Sequence, residues 1–357
     1  MEAALAQSKD GPVRGRGAAS NPVNRFEALD YERDYDSDPD LEPAPLTQFL
    51  TDMSRSIVAR NDSPDVGFEV SINPYRGCEH GCVYCYARPT HEYLGMSAGL
   101  DFETKILVKE NAPELLRAAL SARSWKPQPL AFSGVTDCYQ PVERRLRITR
   151  RCLEVLCDFR NPAMIITKNR LITRDIDLLQ ELARYSAIST TISVTTLDRK
   201  LQRELEPRAS TPENRLRAIR ELADAGIPVS VMIGPVIPGL TDHEIPAILK
   251  SAADAGATGA SYIVLRMPFA VKHIFDQWLE DHRPLAKEKV LNAVRAIRSG
   301  GLNDPRFQSR MRGEGPIADS IQQLFDISKR HAGLDRPRLS LSTAAFRLPG
   351  PQLSLWD

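Results

Sequence analysis

Six short runs rich in β-branched and other apolar residues constrain this chain most: Phe68–Ile72, Leu130–Ser133, Ala163–Thr167, Ile188–Thr195, Val229–Ile233 and Ser261–Leu265. Between them lie segments whose apolar residues recur every three or four positions, as in Asp175–Arg184, Glu213–Ala225 and Asp242–Ala255. The first pattern predicts strands and the second predicts amphipathic helices. Ser210 to Glu213 fits a capping box with Pro212 in the first turn; Gly226 then stops that helix and Pro228 follows. Gly256 ends the helix over Asp242–Ala255 in the same way. Most strand-to-strand intervals have the length of one βα unit, so six units imply a parallel sheet with helices on one side. Curled, this is a partial (β/α)6 TIM-like barrel; the length leaves no room for eight units. A doubly wound sheet is the alternative, because strand order is not written in the sequence. Either way, chemistry belongs at the C-terminal ends of the strands.

The barrel core is expected over residues 66–267. A mixed C-terminal extension follows over 268–347, with helices near Ala286–Arg298 and Ile317–Lys329, and a flexible tail over 348–357. Residues 1–45 are rich in Gly, Pro, Ser and Asp and read as a disordered, acidic N-terminal tail that buries too little apolar surface to offset chain entropy. No run reaches the 18 or so apolar residues of a membrane span. The longest candidate, Ile227–Leu240, is cut by Pro228, Pro235 and Pro238. The first residues carry no apolar signal region, so a cytoplasmic location with no membrane partner is expected.

Three of the six cysteines crowd into Asn73-Pro-Tyr-Arg-Gly-Cys78-Glu-His-Gly-Cys82-Val-Tyr-Cys85-Tyr-Ala-Arg88, directly after the first predicted strand. Three soft thiolates on a glycine-bearing loop suit an iron–sulfur cluster, with Gly77 and Gly81 letting the backbone wrap it. Three ligands on a four-iron cluster leave one iron open to a small molecule. A zinc site would need a fourth ligand, for which His80 and His91 are near in sequence. A redox pair at Cys82 and Cys85 would leave Cys78 without a role.

A CxxxCxxC loop after the first barrel strand, with the aromatic Tyr84 before the last cysteine, resembles the radical S-adenosylmethionine (SAM) superfamily. The resemblance implies a 4Fe–4S cluster held by Cys78, Cys82 and Cys85, with SAM chelating the fourth iron and cleaved by one electron to a 5′-deoxyadenosyl radical. It also implies an electron donor of the flavodoxin or ferredoxin-like kind. The superfamily's short Gly/Glu motif after the second strand is replaced here by Thr136 and Asp137, the expected acceptors for the SAM amino group. Lys168 after the third strand is expected to pair with the SAM carboxylate. Ser193 and Thr195 on the fourth are expected to hydrogen-bond the ribose or carboxylate. These stretches, with Ile172-Thr-Arg-Asp175, Leu205-Glu-Pro207 and Pro235–Asp242, resemble the spore photoproduct lyase-like branch, also called DNA repair photolyase-like. In that branch a cysteine near the second strand returns a hydrogen atom, a role that would fall to Cys138. The local pattern Thr-Asp-Cys-Tyr-Gln-Pro departs from the branch, and a packing role is the other reading. Cys152 and Cys157 sit on a predicted helix and read as packing.

Arg144, Arg145, Arg147, Arg150 and Arg151 open the second predicted helix, where cations oppose the macrodipole. A phosphate backbone at the barrel mouth would account for them, and a solvated helix face is the alternative. Residues 306–347 add eight basic residues against four acidic ones, so a local basic surface with DNA as a partner is expected despite a net charge of +1. At the end, Gln352-Leu353-Ser354-Leu355-Trp356 resembles the peptide that docks bacterial polymerases and repair proteins on the sliding clamp. A tail that folds back to bury Trp356 against the barrel is the alternative. The leading expectation is a radical SAM enzyme acting on nucleic acid in DNA repair. A radical SAM enzyme of RNA, peptide or metabolite, and a non-catalytic iron–sulfur or zinc protein, are the alternatives.

Overall fold

The computed structural model of the chain describes residues 11–26, 45–132, 134–336 and 339–350. In chain order its strands are β1 (Gln48–Thr51), β2 (Val58–Arg60), β3 (Val70–Ile72), β4 (Tyr75–Arg76), β5 (Lys105–Val108), β6 (Leu130–Phe132), β7 (Ala163–Thr167), β8 (Ile188–Ser193), β9 (Val229–Val236) and β10 (Gly259–Val264). The strands β3, β6, β7, β8, β9 and β10 lie side by side in that order, each pair parallel, and β2 joins antiparallel at the free side of β3. A doubly wound sheet reverses its strand order at a switch point. Here the order never reverses, so right-handed crossovers carry the helices to one face. β2 and β10 remain separate edges, leaving a six-unit parallel sheet that is open rather than a closed barrel.

The helices bury the faces that their periodicity marks. Leu153 and Leu156 from Ile148–Phe159, Leu179 and Leu182 from Ile176–Ala183, Ile219 and Leu222 from Pro212–Asp224, and Ile248 and Leu249 from Ile245–Asp254 share one core with strand residues Ile165, Ile188, Ile192 and Val231. Each such side chain contributes roughly 1.5–3 kcal/mol by leaving water. Cys152 belongs to this core, and Cys157 is half-buried with its thiol facing the Leu178 carbonyl at 3.5 Å. Gly226, at φ 72°, ends the helix Pro212–Asp224 as expected. Its N-cap, however, is Thr211, whose hydroxyl accepts from the Asn214 amide. Ser210 is drawn away because its hydroxyl accepts from the Arg170 amide at 2.9 Å and donates to Asn169.

A second sheet, β1-β5-β4, was not foreseen; its strands are too short, and β1 too exposed, to carry a periodic signal. It has a positional effect: β4 and β5 pair antiparallel, Tyr75 with Val108 and Arg76 with Leu107, so they draw together the two ends of the segment holding the three cysteines.

The expectation of a solvated tail over 1–45 does not hold for residues 11–26. The amides of Gly17 and Ala18 donate to the buried Glu103 carboxylate at 2.9 Å each, and Ala18 is 1% exposed. Asn24 donates to the carbonyls of Glu92 and Met96, and Arg25 pairs with Glu92 at 2.6 Å. Small residues and backbone donors make this strap, which is why composition alone reads it as unstructured.

Candidate metal centre and cofactor cradle

The cysteine loop leaves β4 through Gly77 (φ 82°) and turns again at Gly81 (φ 67°). A side chain at Gly81 would sit 2.7 Å from the Glu103 carboxylate, so glycine is required there by both conformation and space. The loop is fixed from behind. Cys78 donates its amide to the Phe102 carbonyl at 2.9 Å, Val83 to Leu205 at 3.0 Å, and Glu79 to the Gln140 side chain at 2.9 Å. The fully buried Arg88 donates to the Cys82, Ala98 and Gly99 carbonyls and pairs with Glu103. Glu103 thereby joins the loop to the N-terminal strap.

Cys78 and Cys82 are buried and Cys85 is half-buried, all three as thiols without a disulfide. Burial pushes all three upward. Asp137 and the neighbouring thiols add to this for Cys78, and Glu206 adds to it for Cys82, which rises to about 12. Lys168 pulls Cys82 and Cys85 the other way. Around Cys85 the backbone turns back on itself, its amide donating to the Cys82 carbonyl at 3.2 Å and its carbonyl accepting from the Arg88 amide at 3.2 Å. A metal must displace these thiol protons to bind.

The donor set tests the metal. His80 faces Asp137 at 3.4 Å through Nδ1 and Asn169 at 3.1 Å through Nε2, and burial lowers its pKa. His91 contacts the Lys105 carbonyl at 3.0 Å, and burial takes it down to about 4. Among the described residues no three His, Cys, Asp or Glu side chains are gathered for a single ion. A thiol-only set on a fixed loop, with both imidazoles engaged elsewhere, fits an iron–sulfur cluster.

Beside the thiols lies a buried polar cradle at the ends of β7 and β8. The Tyr84 hydroxyl donates to Glu206 and lies 3.2 Å from the Thr195 hydroxyl, which donates to Glu206 at 2.7 Å and reaches the Gly234 carbonyl at 3.1 Å. Arg215 pairs with Glu206 and holds the Ser193 carbonyl at 3.1 Å. Burial alone would raise the Glu206 pKa, but Arg215 and Lys168, with hydrogen bonds from Arg215 and Thr195, outweigh it and hold the carboxylate below its ordinary range. The Lys168 ammonium lies 5.8 Å from the Tyr84 ring centroid. The structure thus brings Cys78, Cys82, Cys85, Tyr84, Lys168, Ser193 and Thr195 to one place. Glu206 and Arg215 complete it. Glu206 stands within the Leu205-Glu-Pro207 stretch but drew no role from sequence, and the partnership with Arg215 had no local signal.

The second-strand residues do something different. Thr136 donates its hydroxyl to the Tyr75 carbonyl at 2.8 Å. Asp137 accepts from the Thr167 hydroxyl at 2.7 Å and from the amides of Tyr139 and Lys168 at 2.9 and 2.8 Å. Its carboxylate ties the ends of β6 and β7 together. Cys138 is fully buried in the main core with Tyr75 and Tyr139.

The arginine expectation also changes. Glu143 accepts from the Ile148 and Thr149 amides and from Tyr75 and Arg174, so an anion offsets the macrodipole at that helix start. Arg150 pairs with Asp175 and Asp177, while Arg144, Arg145, Arg147 and Arg151 are exposed. Arg306 pairs with Asp304 and Glu314, and Arg310 with Asp65, which shrinks the basic surface. Gln352, Leu353, Leu355 and Trp356 lie outside the described residues. Among the described residues no helix is long and apolar enough to cross a membrane.

An open six-stranded parallel sheet with a three-thiol loop and a buried polar cradle at its C-terminal end defines an α/β enzyme of the partial-barrel class. The Radical SAM superfamily profile matches residues 72–252, about half the chain, and the chain belongs to that superfamily. A 4Fe–4S cluster and S-adenosylmethionine are the cofactors of this class of enzyme. An uncharacterized protein of Mycobacterium tuberculosis, Rv2578c, is 35% identical over 247 residues, 69% of this chain and 72% of that one. A protein of Pseudomonas phage M6 named radical SAM Nalpha-GlyT isomerase is 30% identical over 177 residues, 49% of this chain and 35% of that one. Among solved structures, a spore photoproduct lyase with one tyrosine replaced by phenylalanine superposes with a TM-score of 0.58 at 16% identity over 80% of each chain. Another, complexed with dinucleoside spore photoproduct, superposes with a TM-score of 0.50 at 17% identity over 66% of this chain and 67% of that one.

Proposed function

We propose that Cys78, Cys82 and Cys85 hold the 4Fe–4S cluster, that Tyr84, Lys168, Ser193 and Thr195 line the SAM site beside it, and that the substrate is a nucleic acid processed in DNA repair. The observation that carries the cofactor assignment is the convergence of three thiols with Lys168 at the end of the adjoining strand. When bound, the cluster and SAM would supply, at the cost of one electron and the release of methionine, a carbon-centred radical able to take a hydrogen atom from substrate. The protein's part is positional. Lys168 offers a charge-assisted partner to the SAM carboxylate. Glu206 and Arg215 lock the hydroxyls of Tyr84 and Thr195 in place. An external one-electron donor, flavodoxin-like or ferredoxin-like, must reach the cluster.

The nucleic-acid reading draws on the fold shared with a lyase solved with a dinucleoside. Because the phage relative bears the name of an isomerase, a net rearrangement of substrate is the second reading. Reduced, reconstituted enzyme incubated with deuterium-labelled DNA is expected to pass deuterium into 5′-deoxyadenosine. A product with rearranged connectivity and no base–base bond broken, read by NMR, would select isomerisation. Transfer from labelled peptides or metabolites but not from DNA would overturn the nucleic-acid assignment.

A further inference from the structure

Arg266 stands two residues beyond β10, at the C-terminal end of the last parallel strand. Its neighbours among the arginines are all occupied. Arg298 gives its guanidinium to the carbonyls of Val264, Leu265 and Ser309. Arg310 pairs with Asp65, and Arg312 lies 3.8 Å over the Tyr262 ring. Arg266 has no carboxylate partner among the described residues; its Nη1 reaches only the Met311 sulfur at 3.9 Å, and its Nε is buried without a hydrogen-bond partner. Arg266 is only partly open to water, and a guanidinium with a buried, unpaired N–H and no counter-ion gains from an anion beside it. Burial and the Arg310 charge both weigh against the charged form of Arg266, with Tyr86 and Asp65 only partly opposing them.

Tyr86 supplies the second half of the site. It directly follows Cys85, it is 47% exposed, and its hydroxyl donates to the Gly134 carbonyl at 2.8 Å, just past β6. The Arg266 guanidinium lies 5.4 Å from the Tyr86 ring centroid. An exposed ring anchored at its hydroxyl is a ready surface for a base, and a forked cation beside it matches a phosphate. We propose that Arg266 binds a backbone phosphate of the substrate strand while Tyr86 stacks a neighbouring base next to the cluster loop; this rests on the nucleic-acid reading above. A carboxylate would also satisfy the guanidinium, but the adjoining ring favours a nucleotide.

The test uses the full-length, cluster-reconstituted protein without oxygen and a fluorescein-labelled single-stranded DNA oligomer, with binding read by anisotropy over a salt series. Arg266→Gln is expected to weaken binding about tenfold and to flatten the salt slope by about one. Arg266→Lys keeps the charge and loses the fork, so affinity falls less and the slope stays as in the parent. Tyr86→Leu should weaken binding about tenfold at an unchanged slope, and Tyr86→Phe should not. Thermal unfolding checks each variant; if Arg266→Gln does not fold, Arg266→Lys decides alone, and unchanged affinity there overturns the proposal. If the parent binds DNA and Arg266→Gln matches it in affinity and slope, the phosphate site lies elsewhere while the nucleic-acid reading stands. If the parent does not bind DNA but binds a labelled glutamate-rich peptide through Arg266, both readings fall.

Discussion

Among single residues, the Glu206–Arg215 pair is the buried charge on which the cradle depends. Glu206→Gln leaves Arg215 without its counter-charge and is expected to cost about 3 kcal/mol in denaturant unfolding. Because the folded pKa of Glu206 is depressed, its contribution is fully present above its unfolded value near 4.5 and is lost as pH falls through the lower folded value. Stability of the parent should therefore fall more steeply than that of Glu206→Gln below about pH 4.5. At the metal centre, Cys78→Ala, Cys82→Ala and Cys85→Ala should each lose most of the bound iron, while His91→Gln should retain it, since His91 is committed to the Lys105 carbonyl. The thiols were legible from sequence because their spacing is local. Glu206 with Arg215 was not, because two unlike charges nine residues apart give no pattern until the turn between them folds. Asp137 ties the ends of β6 and β7, a structural duty its sequence position did not show. A polar residue at a strand end looks the same whether it faces a ligand or joins two strands.

Among the elements, the six parallel strands and the helices between them follow from alternation, three-four spacing and glycine stops, and their bounds agree within a few residues. The short strands β1, β4 and β5 had no periodic signal, and the strap over residues 11–26 had the composition of a tail. The strap touches the metal loop closely enough to be tested. A side chain at Gly17 would fall 1.7 Å from the Gly81 carbonyl oxygen, so Gly17→Val must lift the strap. Amide hydrogen exchange across Gly77–Cys85 is then expected to quicken about tenfold, with the amides of β7 to β9 unchanged. Equal protection in the two proteins would show that the loop holds its shape without the strap.

Across the molecule, the sheet is open between β2 and β10, and the C-terminal extension bridges that opening. Arg310 pairs with Asp65 in the loop after β2, the Gln308 amide donates to the same carboxylate at 2.6 Å, and Arg298 holds the end of β10. The Asp65 side chain is buried, so Asp65→Asn should lower stability by about 3 kcal/mol and raise protease sensitivity between β2 and β3. Strand order, and with it the open edge, could not be read from sequence; neither could the pairing that spans it. What the molecule does rests on the cysteine loop that leaves β4. Iron and sulfide analysis of the full-length chain prepared without oxygen, with electron paramagnetic resonance of the reduced protein before and after adding S-adenosylmethionine, decides the matter. About four irons per chain, with a reduced-cluster signal that S-adenosylmethionine perturbs and 5′-deoxyadenosine among the products, is the expected result. One zinc per chain, no iron and no response to S-adenosylmethionine would contradict it.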